Sequence, residues 1–157
     1  MNRKLLSIPL IVLLIFAVVA TTRFGVSNIY YFKAERAIEF WGYKNRLPDV
    51  NQIQHARRLI NKAISYWPKN PDYLVLRAQV SGWDAFVSNN PALYQAGLVD
   101  LRLALESRPA YVYSLALLAE FKSAVGEKDD EWQTARAKVM QYGSHDIQLI
   151  KRMENLD

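Results

Sequence analysis

The chain reads as all-α: an N-terminal apolar helix, then about three helical hairpins and a short closing helix. Three observations carry that reading. No alternating strand pattern persists along the 157 residues, and the six glycines and six prolines fall mostly at intervals that punctuate helices. An uncharged, mostly apolar run fills residues 5–22. The sequence behind it repeats at a spacing of 41.

The run LLSIPLIVLLIFAVVATT has 18 residues and no charge. At about 1.5 Å per residue it covers roughly 27 Å, just enough for a hydrocarbon core of about 30 Å. Pro9 falls in its first turns, where a missing N–H is tolerated. Arg3 and Lys4 stand immediately before the run. Residues 23–157 are too many for their own charges to set orientation. The positive-inside rule therefore predicts residues 1–22 as a single-pass inner-membrane anchor, with the N-terminus cytoplasmic and residues 23–157 periplasmic. The run exceeds the usual signal-peptide core of about 7–15 residues, which favours an uncleaved anchor. The alternative is a signal peptide cleaved after Ala20, with Val18-Val19-Ala20 as the small-residue site. The chain has no cysteine, so a lipid-modified cysteine, a disulfide framework and Cys-ligated zinc are excluded. A chain without thiols suits an oxidising compartment.

About 135 residues follow the run, enough for one domain with one core. The net charge is +5; removing Arg3 and Lys4 leaves 18 basic residues against 15 acidic, or +3. Bases and acids are interspersed, as in Glu35-Arg36-Ala37, and no lysine–arginine block tracks phosphates. Nucleic acid is not an expected partner.

The elements follow in order. A first helix continues from the membrane over about residues 26–44. The loop Asn45-Arg46-Leu47-Pro48 comes next, and Asp49 is a good N-cap for a second helix ending at Tyr66. Residues 68–71, PKNP, make a turn, and Asp72 is expected to cap a third helix to about residue 87. Asn89-Asn90-Pro91 opens a fourth, with Pro91 at the first helical position, ending near Arg108-Pro109. A fifth spans about 110–125 and Gly126 stops it. A sixth runs from Asp129 to Tyr142 and Gly143 ends it. The last covers about 146–154.

The repeat places Ala37, Ala78 and Ala119 in register. It also pairs Ala56 with Gly97, Ile60 with Leu101, Ala63 with Ala104, Pro68 with Pro109, and Leu74 with Leu115. Small residues let antiparallel helices approach closely, large ones fill the space between pairs, and proline ends a helix and aims the next. This pattern resembles the tetratricopeptide repeat. Ala56, Ile60, Ala63 and Pro68, then Leu74 and Ala78, match its usual positions; so do Gly97, Leu101, Ala104 and Pro109, then Leu115 and Ala119. The departure is length, since that repeat usually has 34 residues. The extra seven fall at residues 45–50 and 88–93. A third unit is degenerate, with Lys138 for alanine and Gly143 for proline, as suits a cap.

A looser likeness covers the whole chain. The aromatic IYYFKAERAIEFW after the run and AISYWPKNPDYL further on resemble VpsP-type proteins of bacterial exopolysaccharide and biofilm-matrix clusters. That resemblance implies a membrane-bound accessory to polysaccharide synthesis or export.

Catalysis needs convergent polar groups, and no GxSxG, P-loop or GxGxxG occurs. His55 and His145 lack partners at metal spacing and are expected to be solvated; no metal or cofactor is expected. Asp129-Asp130-Glu131 reads as acids in a helix's first turn. A sugar hydrolase would need two carboxylates facing each other across a cleft; Glu39 and Asp84 could do so in some folds, but nothing in the sequence joins them. Of the aromatics Tyr30, Tyr31, Phe32, Phe40, Trp41 and Tyr43, several are expected to pack on the second helix.

The groove of a tetratricopeptide-like array is lined by the first helix of each pair. The resemblance thus implies Arg36, Tyr73, Arg77, Trp83, Tyr111 and Tyr113 as groove residues. Arg36 and Arg77 are also 41 apart, and a repeated arginine suits a peptide carboxylate or an acidic sugar. The expected function is a non-enzymatic adaptor that binds protein partners of a polysaccharide synthesis or export complex, with acidic polysaccharide as a further partner. The alternatives are a carbohydrate-binding or carbohydrate-modifying periplasmic domain, or an assembly factor for a secretion or pilus system.

Overall fold

The computed structural model describes residues 3–43 and 46–156, with side chains from residue 9 onward. Among these, seven α-helices and no strand occur: α1 (Arg3–Ile38), α2 (Val50–Tyr66), α3 (Pro71–Ser88), α4 (Ala92–Ser107), α5 (Val112–Ala124), α6 (Asp130–Tyr142) and α7 (Ile147–Glu154). Consecutive helices pack as antiparallel hairpins, α1 with α2, α3 with α4 and α5 with α6, and α7 closes the end. The first helices α1, α3, α5 and α7 also adjoin one another in that order. The expected all-α fold with helical hairpins is the one observed.

The apolar run and the expected first helix are one 36-residue helix without a break. It ends at Ile38, earlier than expected, in turns that carry Gly42 at φ +78°. That left-handed geometry suits glycine and stops the helix. Lys44 and Asn45 lie outside the described residues. From Pro9, α1 is long and apolar enough to cross a membrane, by length and composition, as a secretory signal also is. Leu10 to Phe16 are each more than half exposed. Among the described side chains, the first buried one in α1 is Ser27, whose hydroxyl donates to the Ala63 carbonyl at 3.0 Å.

Caps follow the short polar residues. Asp49 accepts from the Gln52 N–H at 2.8 Å, and Gln52 Oε1 accepts from the Asp49 N–H at 3.0 Å, a reciprocal capping box. Asp129 and Asp146 cap α6 and α7 in the same sense, each at 3.0 Å. Two expectations shift by a residue or two. Asn70, not Asp72, caps α3, accepting from the Asp72 N–H at 2.9 Å. Pro71 explains the change: proline is favoured at the first helical position, which makes its predecessor the cap. Pro91 stands at the N-cap of α4 rather than inside it, while Asn90 Oδ1 accepts from the Ala92 N–H.

The 41-residue repeat is visible in the backbone. Trp67 ends α2 at φ −140°, ψ 79°, and Arg108 ends α4 at φ −138°, ψ 73°. Both precede a proline, which pushes them out of the helical region. The hydrogen bonds repeat as well: Trp67 N–H to Ala63 O and Arg108 N–H to Ala104 O, then Asn70 N–H to Trp67 O and Tyr111 N–H to Arg108 O. Between these turns, Ala56, Ile60, Ala63, Ala78, Leu101, Ala104 and Ala119 are all at most 1% exposed. Leu74 and Leu115 are also buried, and Ala37 is half-buried. Pro68 and Pro109 are exposed, two residues past their helices.

Gly97 has a specific reason for its size. The Phe121 ring fills a notch between α3 and α4, and a Cβ on either Gly82 or Gly97 would lie 2.5 Å from it.

One buried charge ties α5 to α6. Gly126, at φ +80°, turns the chain so that Glu127, Asp129 and Glu131 reach back to Lys122, at 3.3, 2.9 and 2.9 Å. Lys122 is 1% exposed. Burial pulls its pKa down, but the three carboxylates together outweigh that and the net direction is up. Arg102 grips Glu131 with two further bonds of 2.9 and 2.7 Å. First Arg102 and then Lys122 hold the Glu131 carboxyl down at about 2, against an ordinary 4.5. A depressed carboxyl stabilises the fold above its ordinary value and loses that contribution as pH falls through the folded one. Stability is therefore expected to hold down to about pH 4.5 and then fall toward pH 2. Thermal melts monitored by circular dichroism, with Glu131→Gln as control, check this. An acid-labile step of equal size in both proteins would refute the assignment.

Candidate binding cleft

The side-by-side first helices leave an open trough of about 1020 Å³. Its walls come from α1 (Tyr31, Glu35, Ile38), α3 (Val75, Gln79, Trp83, Phe86) and α5 (Tyr113, Leu117, Glu120), with Arg152 of α7 at one end. Phe86 is 59% exposed and Tyr113 48%, so the trough offers apolar surface to solvent. Trp83 stands edge-on between Trp41 and Phe86, with ring centroids 6.2 and 6.3 Å away. Tyr111 and Tyr113 sit 6.2 Å apart at the mouth, and the Arg108 guanidinium lies 5.0 Å over the Tyr111 ring.

The described lining carries four carboxylates, Glu35, Glu39, Asp72 and Glu120, against one guanidinium, Arg152. Three of the four are paired. Arg152 binds Glu120 through two bonds of 2.7 Å, Arg36 binds Glu39 at 3.0 Å, and Arg108 binds Asp72 at 2.6 Å. Among the described residues no cation pairs with Glu35. Its Oε1 accepts from the Tyr31 hydroxyl at 2.8 Å. Burial first, then that bond, pushes the Tyr31 hydroxyl pKa up. Glu35 is exposed and is the cleft's free acceptor of positive charge.

Of the six residues expected to line a groove, the trough brings together Trp83, Tyr111 and Tyr113. The other three stand elsewhere. Tyr73 is 1% exposed, stacked on Tyr31, and donates to Asn28 Oδ1 at 2.8 Å, so it belongs to the core between α1 and α3. Arg77 faces α4, where Nε and Nη2 bind Asp100 at 2.7 and 2.5 Å, and Asp100 is buried. Arg36 points to solvent with its side chain 77% exposed. No repeated arginine pair therefore lines the trough. Phe86 and Glu35 were missed by the sequence reading: an exposed aromatic and an acid carry no spacing signal of their own.

The polar residues weighed for chemistry are dispersed. Asp84 pairs with Arg57 at 2.6 Å and Glu39 with Arg36, so neither faces the other across a gap. His55 and His145 are exposed. Among the described residues no group of three His, Cys, Asp or Glu side chains is placed to hold a metal. No protein-family profile matches the chain, and no curated protein matches it.

Proposed function

We propose that this protein is a non-enzymatic, membrane-tethered adaptor that holds a peptide segment of a partner protein in the trough between α1, α3 and α5. The observation that carries the reading is the open trough with exposed Phe86 and Tyr113 beside the unpaired Glu35. Such a surface suits a segment with apolar or aromatic anchors and a basic residue. An acidic polysaccharide suits it less well, because the free charge in the trough is negative. The resemblance to tetratricopeptide repeats supports a peptide-binding role, and the VpsP-type likeness points to polysaccharide synthesis or export as the pathway. In this reading α1 is an uncleaved inner-membrane anchor, with Arg3 and Lys4 keeping its start in the cytoplasm and the hairpins in the periplasm. Tethering raises the effective concentration toward other membrane proteins, so a weak contact suffices.

The test is affinity capture from native membranes with the full chain, comparing it with Phe86→Ala/Tyr113→Ala and with Glu35→Lys. Both variants change exposed side chains and are expected to keep helicity and Tm. Capture of the partner is expected to fall at least tenfold in each, a change of about 1.4 kcal/mol or more. Undiminished capture by both would discard the trough as the binding site. Absence of polysaccharide-pathway proteins among the captured partners would remove that pathway and leave the adaptor reading standing.

A further inference from the structure

We propose that the α2–α3 turn is a foot that rests on anionic lipid headgroups, with Trp67 and Lys69 meeting the bilayer beside Phe24 and Arg23 of α1. This inference rests on the reading of α1 as a membrane span, but not on the trough or on any protein partner. The geometry starts from the unbroken α1. Its apolar run ends at Thr22, and α2 returns along it until Ser27 meets Ala63. The end of α2 then reaches further down. Arg23 Nη2 donates to the Tyr66 carbonyl at 3.4 Å, and the Phe24 and Trp67 rings meet edge-on at 5.9 Å. Trp67 is thus level with a residue only two positions past the apolar run, about 3 Å of helix rise. The headgroup zone extends roughly 5–8 Å beyond the hydrocarbon on each side, so the turn falls inside it.

The chemistry matches the level. Phe24 is 48% exposed and Trp67 43%, an aromatic pair left open where aromatic belts form. Pro68 and Pro71 stiffen the turn that presents them. Charge on this hairpin is segregated by sign. Residues 23–34 and 50–71 contain six cations (Arg23, Lys33, Arg57, Arg58, Lys62 and Lys69) and no acid. Arg23, Lys62 and Lys69 lie nearest the turn, and the next acid along the chain, Asp72, is held by Arg108. A basic rim of Arg23, Lys62 and Lys69 around exposed aromatics, with the adjoining Asp72 held by Arg108, is the complement of an anionic lipid surface.

The chain has no cysteine, so one introduced thiol is the only site for a spin label. The full chain carrying Phe16→Cys, Trp67→Cys, Lys69→Cys or Asn90→Cys is reconstituted in vesicles of equal parts phosphatidylcholine and phosphatidylglycerol, and in phosphatidylcholine alone. Collision of the label with lipid-dissolved oxygen is compared with collision with an aqueous nickel chelate. Labels at 67 and 69 are expected to show a severalfold higher oxygen-to-nickel ratio than the label at 90, with a larger ratio in the anionic vesicles. Labels at 67 and 69 that match the one at 90, while 16 lies in lipid, overturn the foot and leave the span standing. An aqueous label at 16 overturns both. Equal ratios in the two vesicles overturn the anionic preference. Lys69 is exposed, so it carries the test should replacement of Trp67 disturb the fold.

Discussion

Arg77→Ala is expected to lower stability by roughly 3–5 kcal/mol, because it strands the buried Asp100 carboxylate without its counter-ion. A chain of this size has a margin of only about 5–15 kcal/mol, so the variant would melt roughly 10 °C lower or more. The same change at Arg36 is expected to cost about 0.5 kcal/mol or less, since its partner Glu39 is one turn away and both are solvated. The 41-residue register makes the two arginines look equivalent, and their stability effects will separate them. Replacing the pair together, Arg77→Met with Asp100→Leu, should restore most of the loss, because no charge is then left buried. Thermal and urea melts of the four proteins in detergent decide the matter. A loss below about 1 kcal/mol for Arg77→Ala would show that Asp100 finds solvent or another partner.

Phe121→Ala is expected to cost roughly 3–5 kcal/mol, because the ring fills a notch bordered by Gly82 and Gly97, which have no side chains to close over it, and packs edge-on against Tyr94 at 5.0 Å. The reverse error is also predicted. Gly97→Ala gains up to about 1 kcal/mol of helix propensity, yet its new methyl would sit 2.5 Å from the ring. Overpacking of that kind costs about 1–3 kcal/mol, so the net effect is destabilising. Phe121→Leu in the Gly97→Ala background should recover part of the loss. The double-mutant cycle is expected to show a coupling of at least about 0.5 kcal/mol. Strict additivity would mean that the ring moves aside without resistance.

The helices and their turns were legible because they are written in local chemistry. Asp49, Asp129 and Asp146 cap by reaching their own next turn, and a residue before proline leaves the helical region wherever it stands. The repeat was legible for a related reason: small residues mark where helices touch, and touching recurs at each hairpin. Asp72 misled because Asn70 and Asp72 are both capping residues, and only Pro71 between them settles which one serves. The trough was half legible. Register assigns a residue to a helix, but not to the side of that helix that faces the trough, and Arg77 turns toward α4 instead. Lys122 gave no signal either. Its burial depends on the left-handed Gly126 folding three acids back over it, a contact that no periodicity records.

The unbroken α1 has a mechanical meaning. A domain joined to its anchor by loose chain swivels like a flag on a cord and meets partners from any direction. Here the apolar run and the first helix of the hairpins are one continuous shaft, with Tyr31, Glu35 and Ile38 keyed to fixed bearings on it. If α1 spans a bilayer as proposed, the trough keeps a set height above it and one compass heading about the helix axis. Neighbours in the same membrane sweep past that heading at a constant level, and each encounter is a search over one angle rather than three.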